Sequence, residues 1–307
     1  MKTKVYIDGF NLYYGCLRGT TYKWLDVFKL FNDYVIPSSL SEPTSLDVFV
    51  KYFTAQIIDK AAKSSSSVQD QIAYHRALHF SYEQDRLEII KGYYSLTKNS
   101  AYQVDRNDPK KAPKDCERVE IWKLEEKQTD VNIAIESLFD VMTDPDLQQI
   151  VFVTNDTDIA PVMKKIQALK KVRIGLVIPT SLQARNPNND LAQYADWVRD
   201  CIQEYELAAA QLPRLIKGER TPAAKPISWF GQPQIVEEII QLLLPVCENK
   251  QSKCWRWLED NVPEIEGLPT LPSAPINHLA TKEEAELVLA YAHKFAELIK
   301  GKQSLNS

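Results

Sequence analysis

The sequence predicts an α/β fold in which a central, mainly parallel sheet lies between two layers of helices. Short runs rich in Val, Ile, Phe and Tyr, bounded by turn residues, alternate along the chain with stretches of helical periodicity. The first and fourth of these runs are continuously apolar, which is typical of central strands buried on both faces. Strands that alternate with helices in this way favour a Rossmann-like, three-layer architecture.

The individual elements follow from the spacing of apolar residues. The predicted strands are Val5–Asp8, Asp47–Thr54, Leu87–Ser95, Ile150–Thr154 and Arg173–Ile178. Helices are predicted where apolar positions recur three or four residues apart. These positions are Leu25, Phe28 and Phe31; Ile72, His75, Arg76, Leu78 and His79; Val131, Ile135, Leu138 and Phe139; Ile159, Met163 and Ile166; and Leu191, Tyr194, Ala195 and Val198.

The domain organisation follows from shifts in composition. Residues 1–211 are predicted to form the α/β domain, with a polar, basic insert at about 98–123 that is a long hairpin or loop. Residues 212–228 are rich in proline and are predicted to be a linker. Residues 229–307 show helical patterning and are predicted to be a small α-helical C-terminal region. The apolar faces of its helices make it a candidate surface for a homo-oligomer.

Composition and charge exclude several classes of protein. The 307 residues carry a formal net charge of −4, which argues against a strongly basic protein that coats nucleic acid. No apolar run approaches the ~20 residues that span a bilayer, and the first residues lead directly into a strand, so a cytoplasmic location is predicted. Five scattered cysteines without CxxC spacing favour reduced thiols over a zinc site or a disulfide framework.

Four aspartates carry the functional prediction. Asp8 ends the first strand, Asp156 and Asp158 follow the fourth strand, and Asp130 begins a helix between them. The carboxyl ends of parallel strands meet at the functional crevice of such folds. Because carboxylates gathered there repel one another, their expected purpose is to bind hard cations such as Mg²⁺. The pattern therefore predicts metal-dependent phosphoryl chemistry.

Three segments that contain these acids resemble a known family. The segments are Tyr6-Ile7-Asp8-Gly9-Phe10-Asn11-Leu12-Tyr13, Glu125-Glu126-Lys127-Gln128-Thr129-Asp130-Val131 and Thr154-Asn155-Asp156-Thr157-Asp158-Ile159. They are similar to the signature segments of NYN domains, which are PIN-like nuclease domains, and the similarity is greatest to the bacterial LabA-like branch. The resemblance covers roughly residues 3–205. It implies a PIN-type fold and a ribonuclease of the endonuclease type that depends on Mg²⁺ or Mn²⁺.

The resemblance also implies which residues are catalytic. Asp8, Asp130, Asp156 and Asp158 match the metal-ligating acids of the family, and Asn11 matches the usual polar companion of the first. The chain departs from the family pattern at Gln128-Thr129, where Gly-Val is usual, and at Asn155, where Gly is common. Neither departure removes a ligand. A structural role as a helix N-cap is the alternative for each aspartate.

RNA, single-stranded or structured, is the partner that this interpretation predicts. Lys110, Lys111 and Lys114 of the basic insert are expected to contact phosphates beside the acids, and Tyr102 is expected to stack on a base. Lys127 is a further candidate for a phosphate contact. A solvated surface is the alternative for all of these residues.

Other functions are weighed against the ribonuclease. A non-catalytic RNA-binding or scaffolding protein with the same fold is the alternative prediction. A phosphatase with a strand-borne aspartate needs a second acid two residues later, where Phe10 stands, and no GxGxxG motif predicts a dinucleotide. His75 and His79 have metal-ligand spacing but no completing acid, so a structural role is predicted. Glu125 and Glu126 are predicted to be solvated surface residues.

Overall fold

The centre of the computed structural model is a sheet of seven strands in the order β4-β3-β2-β1-β5-β6-β7. The structure describes residues 1–42, 44–62, 64–82, 85–181, 186–218, 221–259 and 281–305. The strands are β1 (Lys2–Asp8), β2 (Asp47–Gln56), β3 (Leu87–Tyr102), β4 (Arg118–Lys127), β5 (Gln149–Val153), β6 (Arg173–Val177) and β7 (Trp197–Arg199). All neighbouring pairs are parallel except β3 with β4. A mixed, mostly parallel α/β fold is therefore confirmed.

Helices connect the strands and continue beyond the sheet. They are α1 (Gly9–Leu12), α2 (Val27–Lys29), α3 (Ile36–Ser39), α4 (Ser67–Ser81), α5 (Thr129–Thr143), α6 (Ala160–Leu169), α7 (Asn189–Ala192), α8 (Glu204–Ala209), α9 (Pro233–Leu243), α10 (Gln251–Glu259) and α11 (Lys282–Leu305). Wider π-type turns extend α1 over Tyr13–Leu17 and join α2 to α3 over Leu30–Val35. No helix among the residues that the structure describes is long and apolar enough to cross a membrane, and a cytoplasmic location stays a prediction.

The position of β1 determines where the site lies. β1 pairs with β2 on one side and with β5 on the other, so that Ile7 stands level with Tyr52 and with Val153. Alternate side chains of β1 enter different cores. Val5 and Ile7 face the core beneath the first helices, and Tyr6 faces the core beneath α5 and α6. Because both faces are buried there, the central part of β1, Val5–Ile7, and most of β5, Ile150–Val153, are apolar, as predicted.

The predicted basic insert is the outer part of a β-hairpin. β3 continues past its predicted end at Ser95 as far as Tyr102 because β4 pairs with it over ten residues, from Tyr93 opposite Lys127 to Tyr102 opposite Arg118. β4 was not predicted, since its alternating Arg118–Lys127 sequence is mostly polar and exposed. Its polar composition does not predict a strand, but pairing with β3 supplies the backbone hydrogen bonds that stabilise it.

The predicted helix with Leu191, Tyr194, Ala195 and Val198 is wrong in its second half. α7 ends at Ala192, and Val198 lies in β7, the edge strand beside β6. The indole of Trp197 packs where a side chain on Gly175 would lie, and its Nε1 donates to Gln149 Oε1 at 3.0 Å. These long-range contacts favour the extended backbone over the local helical periodicity.

The C-terminal helices form a second core. Phe230, Val236, Trp255 and Tyr291 are among its buried members. The predicted linker contains secondary structure, a small antiparallel pair of strands formed by β8 (Leu215–Ile216) and β9 (Ala223–Ala224). Residues 260–280 of the predicted helical region lie outside the described residues, and the domain boundaries at 211 and 228 stay predictions.

A buried ionic network fastens α5 to the sheet. Asp140 of α5 is 6% exposed and binds Lys4 Nζ at 2.8 Å, Lys51 Nζ at 2.7 Å and Tyr6 Oη at 2.7 Å. Lys51 also binds Glu136 at 2.6 Å. Burial opposes ionisation of Asp140, but hydrogen bonds from Lys4, Lys51 and Tyr6 outweigh it and hold its pKa below the usual value. The carboxylate therefore stays charged and satisfied inside the fold.

Candidate active site

The predicted acids meet at the carboxyl ends of β1 and β5. Asp8 is buried at the end of β1 and is the N-cap of α1. Its Oδ1 accepts from the Asn11 backbone N–H at 2.9 Å, and its Oδ2 accepts from Asn11 Nδ2 at 2.5 Å and from Thr154 Oγ1 at 3.0 Å. Burial raises the pKa of Asp8 despite these hydrogen bonds, and the nearby charge of Asp156 adds to the increase. Asn11 is thus the polar companion that the sequence predicted.

Gly9 allows β2 to lie directly against the start of α1. A Cβ at this position would lie 2.5 Å from the carbonyl oxygen of Phe53 and 2.9 Å from the ring of Tyr52. Contacts of that length do not occur, so any larger residue would push α1 away from the sheet. Because Gly9 follows Asp8 directly, the acid lies close to the Tyr52 ring.

Asp156 and Asp158 lie in the turn that follows β5. Asp156 Oδ1 accepts from the Asp158 N–H at 3.0 Å, and the Asp156 N–H donates to Thr154 Oγ1 at 3.1 Å. Asp156 therefore caps the turn Thr157–Ile159 that leads into α6. Asp158 is exposed at the rim. The capping role that was the alternative for Asp156 is present.

Asp130 completes the acidic group from the start of α5. The chain reaches it through Gln128, whose φ of 77° is in the left-handed region, which turns the backbone from β4 into the helix. Burial raises the pKa of Asp130 to about 6, and the charges of Asp8, Asp156, Glu126 and Asp158 contribute to the increase. The fold thus brings the four aspartates together, and it adds Glu126 to them.

The arrangement of these acids is not that of a metal site. Among the described residues, no group of three His, Cys, Asp or Glu side chains is placed to hold a metal ion. The physical reason is visible at Asp8, where both carboxylate oxygens already accept hydrogen bonds from Asn11 and Thr154. Asp156 likewise uses Oδ1 to cap its own turn. These oxygens therefore already serve as hydrogen-bond acceptors within the protein.

A cavity of about 450 Å³ opens beside the acids. Its aromatic lining residues are Phe10, Tyr13, Tyr14, Tyr52, Tyr74, Tyr94 and Trp229, together with His75. The Phe10 and Tyr14 rings lie 4.4 Å apart between centroids, and the Tyr13 and Tyr14 rings meet edge to face at 5.2 Å. Trp229 comes from the far end of the chain and packs on Trp24 at 6.0 Å. Flat aromatic walls of this kind favour a planar ring as ligand.

Glu126 is a member of the acidic group that also lines this cavity. It stands directly opposite Tyr94 in the β3–β4 ladder, so both side chains are on the same face, and both border the cavity. The Thr129 hydroxyl donates to Glu126 Oε1. Burial raises the pKa of Glu126, and the charge of Asp8 adds to the increase. Glu126 is therefore a carboxylate poised to take a proton inside an aromatic pocket.

Sequence reasoning missed Glu126, which was predicted to be a surface residue. Glu125 does have that role, since it points to the other face of β4 and pairs with Lys123 and with Lys127 at 3.1 Å. The signal that separates the two is the alternation of side chains along a strand. That signal was hidden because β4 was not predicted.

His75 is structural, as predicted. It is buried on α4 with its ring 6.3 Å from that of Tyr52, and His79 is exposed. Burial, with a contribution from the charge of Lys91, lowers the pKa of His75 to about 4. The imidazole is therefore neutral at pH 7 and packs as an aromatic wall behind the cavity.

The predicted RNA-binding residues are not gathered beside the acids. Tyr102 lies eight residues beyond Tyr94, roughly 26 Å away at a strand rise of about 3.3 Å per residue, and it packs under Arg118. Lys110, Lys111 and Lys114 are exposed in the connection between β3 and β4, where Lys111 pairs with Asp105 at 3.1 Å. Only Lys127 is near Asp130, and its Nζ pairs with Glu125. RNA as a partner and a homo-oligomer through the C-terminal helices stay predictions.

Comparison with known proteins decides the family. The chain is 43% identical over 304 residues to 6-hydroxy-3-succinoylpyridine 3-monooxygenase HspA from Pseudomonas putida (strain DSM 28022 / S16), and the match covers 96% of this chain and 95% of that protein. This chain belongs to the family of that monooxygenase. No family model matches the chain. A protein of unknown function, VPA0982 from Vibrio parahaemolyticus RIMD 2210633, aligns with a TM-score of 0.38 and 16% identity over 66% of this chain and 93% of that one.

Membership of this family corrects the predicted function. Hydrolysis of RNA by an endonuclease, with a non-catalytic RNA-binding protein as the alternative, is wrong, because the relative is an oxidising enzyme. Mg²⁺ or Mn²⁺ as cofactor is wrong for the same reason, and the described acids form no metal-binding group. Catalytic roles for Asp8, Asn11, Asp130, Asp156 and Asp158 stay predictions. What remains is an acidic group beside an aromatic cavity.

Crowding of these acids is expected to destabilise the fold at neutral pH, and Asp130→Asn relieves it. The folded-state pKa of about 6 lies above the ordinary 3.8, so the folded state binds more protons than the unfolded state between these values. Stability therefore falls as pH rises through this window and the penalty is complete above pH 6. Solvent screening of this half-buried group limits the penalty to about 1 kcal/mol.

Melting temperatures of the wild type and Asp130→Asn at pH 4, 6 and 8 test this expectation. The variant is expected to gain stability relative to the wild type as pH increases. Asp115→Asn, which changes an exposed acid of the β3–β4 connection, is the control and should show no such trend. A constant difference between Asp130→Asn and the wild type at all three pH values would contradict the raised pKa.

Proposed function

We propose that this chain is a monooxygenase that introduces oxygen into a hydroxylated pyridine ring. The observation that carries the proposal is the 43% identity over 96% of the chain to 6-hydroxy-3-succinoylpyridine 3-monooxygenase HspA. The cavity supports it, because aromatic side chains flank a space of about 450 Å³, enough for one substituted ring.

Glu126 is proposed as the general base. The relative's name places a hydroxyl at ring position 6 and the oxygenation at position 3, and these positions are opposite each other in a six-membered ring. When the ring hydroxyl loses its proton, resonance moves negative charge to the opposite carbon, which then reacts more readily with an electrophilic oxygen. A carboxylate within the cavity accepts that proton, and its raised pKa brings it nearer to the operating pH.

The aromatic walls are proposed to orient the ring and to keep water from it. Tyr14 and Phe10 pack on each other from one continuous helical segment, and Trp229 lines the cavity from a distant part of the chain. Stacking of this type contributes about 0.5–1.5 kcal/mol per ring pair beyond the buried area. The ring hydroxyl would point towards Tyr94 and Glu126, which lie opposite each other in the hairpin.

Electron balance requires O₂ and a two-electron reductant. At position 3, which carries the succinoyl group in the relative's named substrate, one oxygen atom becomes the new hydroxyl, and the second leaves as water with two electrons and two protons. The displaced acyl group takes up the hydroxyl of a water molecule and leaves as a carboxylic acid. A flavin is one group that supplies such chemistry when bound. A dinucleotide with its pyrophosphate at the amino end of α1 does not fit this chain, because the Asp8 carboxylate lies there and no glycine-rich loop follows β1.

The fold of residues 1–211 is proposed to be PIN-like, as the resemblance of three segments to NYN domains implies. Support comes from the parallel strands β1 and β5, which carry Asp8 and the Asp156 turn at adjacent positions. On this proposal, a scaffold with an acidic crevice supports oxygenation in place of hydrolysis, since function depends on the site and not on the fold.

Oxygen uptake with 6-hydroxy-3-succinoylpyridine tests the activity. The purified chain is incubated with NADH or NADPH, and with FAD, FMN or no flavin, under ¹⁸O₂. We expect substrate-dependent oxygen consumption and one ¹⁸O atom in a ring-hydroxylated product detected by mass spectrometry. Heat-denatured protein is the control. Absence of ¹⁸O from the ring product under every combination would overturn the proposal.

A further inference from the structure

We propose that Arg18 is the specificity-determining residue for an anionic chain on the substrate ring, binding its carboxylate at the end of the cavity away from Glu126. This inference rests on the proposed function and deepens it. The ligand class is a hydroxylated N-heteroaromatic ring with an acidic side chain a few atoms long. Arg18 has no role in the proton transfer assigned to Glu126.

One helical segment forms a wall along the whole cavity. Gly9, Phe10, Tyr13, Tyr14, Leu17 and Arg18 all line it, and their spacing places them on one face of α1 and of the turn that extends it. Asp8 is the residue that precedes this segment, and Arg18 is the residue that ends it. At about 1.5 Å of rise per residue, Gly9 and Arg18 are roughly 13 Å apart. The cavity therefore has an acidic end and a cationic end.

At that cationic end, the guanidinium of Arg18 packs on an aromatic ring and keeps its charge available for a ligand. Its guanidinium lies over the Tyr14 ring, 5.3 Å from the centroid. Within the described parts of the chain, Arg18 makes no salt bridge of 4 Å or less, so its charge is not neutralised by a neighbouring acid. The planar guanidinium donates two parallel hydrogen bonds to a carboxylate, which favours this anion over a neutral group.

The other charged residues that line the cavity also favour an anion away from Glu126. Lys23 is a second cation on the lining, and the acids on it are Glu126 and Asp70. Asp70 Oδ2 already accepts from Ser66 at 3.0 Å and from Ser228 at 2.7 Å. Lys23 thus adds a second positive charge to the lining, whereas an anion near Glu126 meets the acidic group.

The relative's named substrate has matching dimensions. A succinoyl chain on a pyridine ring ends in a carboxylate, at the side of the ring opposite the 6-hydroxyl. On ordinary bond lengths, about 10 Å separate the hydroxyl oxygen from that carboxylate in the extended molecule. Glu126 of β4 lines the cavity close enough to Asp8 for the two charges to interact, whereas Arg18 stands at the other end of the helical wall, roughly 13 Å away. The two ends of the ligand would therefore meet opposite charges.

Equilibrium binding separates this inference from catalysis. Calorimetric titrations compare 6-hydroxy-3-succinoylpyridine with its carboxamide, which has the same size and no charge, on the wild type, Arg18→Gln and Arg18→Lys. We expect the wild type to prefer the acid and Arg18→Gln to lose about 10- to 100-fold in affinity for the acid, with less than a twofold change for the amide. Arg18→Lys should retain part of the preference. Arg106→Gln, an exposed arginine outside the cavity, is the matched control.

Each outcome decides the inference. Equal losses for acid and amide in Arg18→Gln would show a packing role only, and no binding of either ligand by the wild type would also overturn it. A preference for the acid that depends on Arg18, without ¹⁸O incorporation, would support the anion site while the proposed function fails. Turnover of the substrate, together with an unchanged preference for the acid in Arg18→Gln, would support the proposed function and contradict the anion site.

Discussion

Glu126→Gln is expected to lower kcat for ring oxygenation by about 10²- to 10⁴-fold, the usual contribution of a general base. Glutamine keeps the size of the side chain and removes its ability to accept the proton of the ring hydroxyl. Substrate binding should change little, because the aromatic walls and Arg18 are untouched. The loss should therefore appear in kcat more than in KM.

The pH profile gives a second readout of the same residue. Since the pKa of Glu126 is raised by burial and by Asp8, the wild type should lose activity as pH falls through that raised value. Glu126→Gln should lack this acidic limb in its residual activity. Initial rates between pH 5 and 9 measure both effects. An unchanged profile in the variant would assign the limb to another group.

Glu125→Gln is the matched control for this experiment. The two residues are adjacent in β4, but Glu125 points to the opposite face, where it pairs with Lys123 and Lys127. Its substitution should leave kcat within about twofold, because solvent-screened surface ion pairs contribute little to stability. Equal losses in the two variants would contradict a specific role for Glu126.

Asp140→Ala is expected to lower the free energy of unfolding by about 3–5 kcal/mol. The substitution leaves Lys51, which is 6% exposed, and the neighbouring Lys4 without their shared buried carboxylate, and it leaves the Tyr6 hydroxyl without its acceptor. Lys51 keeps Glu136 and Lys4 keeps Asp144 as partners, but the loss of a buried carboxylate shared by three donors is far more costly than the loss of a surface pair. Urea denaturation followed by circular dichroism at pH 7 measures the effect.

The pH dependence of this loss has a definite sign. The pKa of Asp140 is lowered in the folded state, so its contribution is present above the ordinary value of 3.8 and is lost as pH falls through the lowered one. The difference between the wild type and Asp140→Ala should therefore shrink in strong acid. Asp144→Ala, at the more exposed Lys2 pair of 2.8 Å, is the control and should cost about 1 kcal/mol or less. A similar loss in both variants would refute the importance of burial.

Local patterns in the sequence predicted much of the fold. The apolar runs at Val5–Asp8 and Ile150–Thr154 predicted neighbouring parallel strands, and β1 and β5 are neighbours. That prediction also brought Asp8, Asp130, Asp156 and Asp158 to one crevice, where their charges act on one another. Such predictions succeed because strand burial and the direction of parallel strands restrict where their ends lie.

The chemistry of the crevice could not be predicted in the same way. Identical acids bind a metal ion or accept hydrogen bonds depending on where their oxygens point, and Asp8 points at Asn11 and Thr154. The motif resemblance implied ligands at these positions. It contains no information about the aromatic surface that the rest of the chain places beside them.

The sequence by itself determined the parallel sheet, the gathering of four aspartates at the ends of β1 and β5, and the placement of Asn11 beside Asp8. Only the tertiary structure decided that β4 pairs with β3, that Glu126 lies opposite Tyr94, and that Trp229 closes an aromatic cavity. The physical reason is the range of the interactions. Periodicity reports burial within a segment, whereas strand register and cavity walls depend on contacts between residues far apart in the chain.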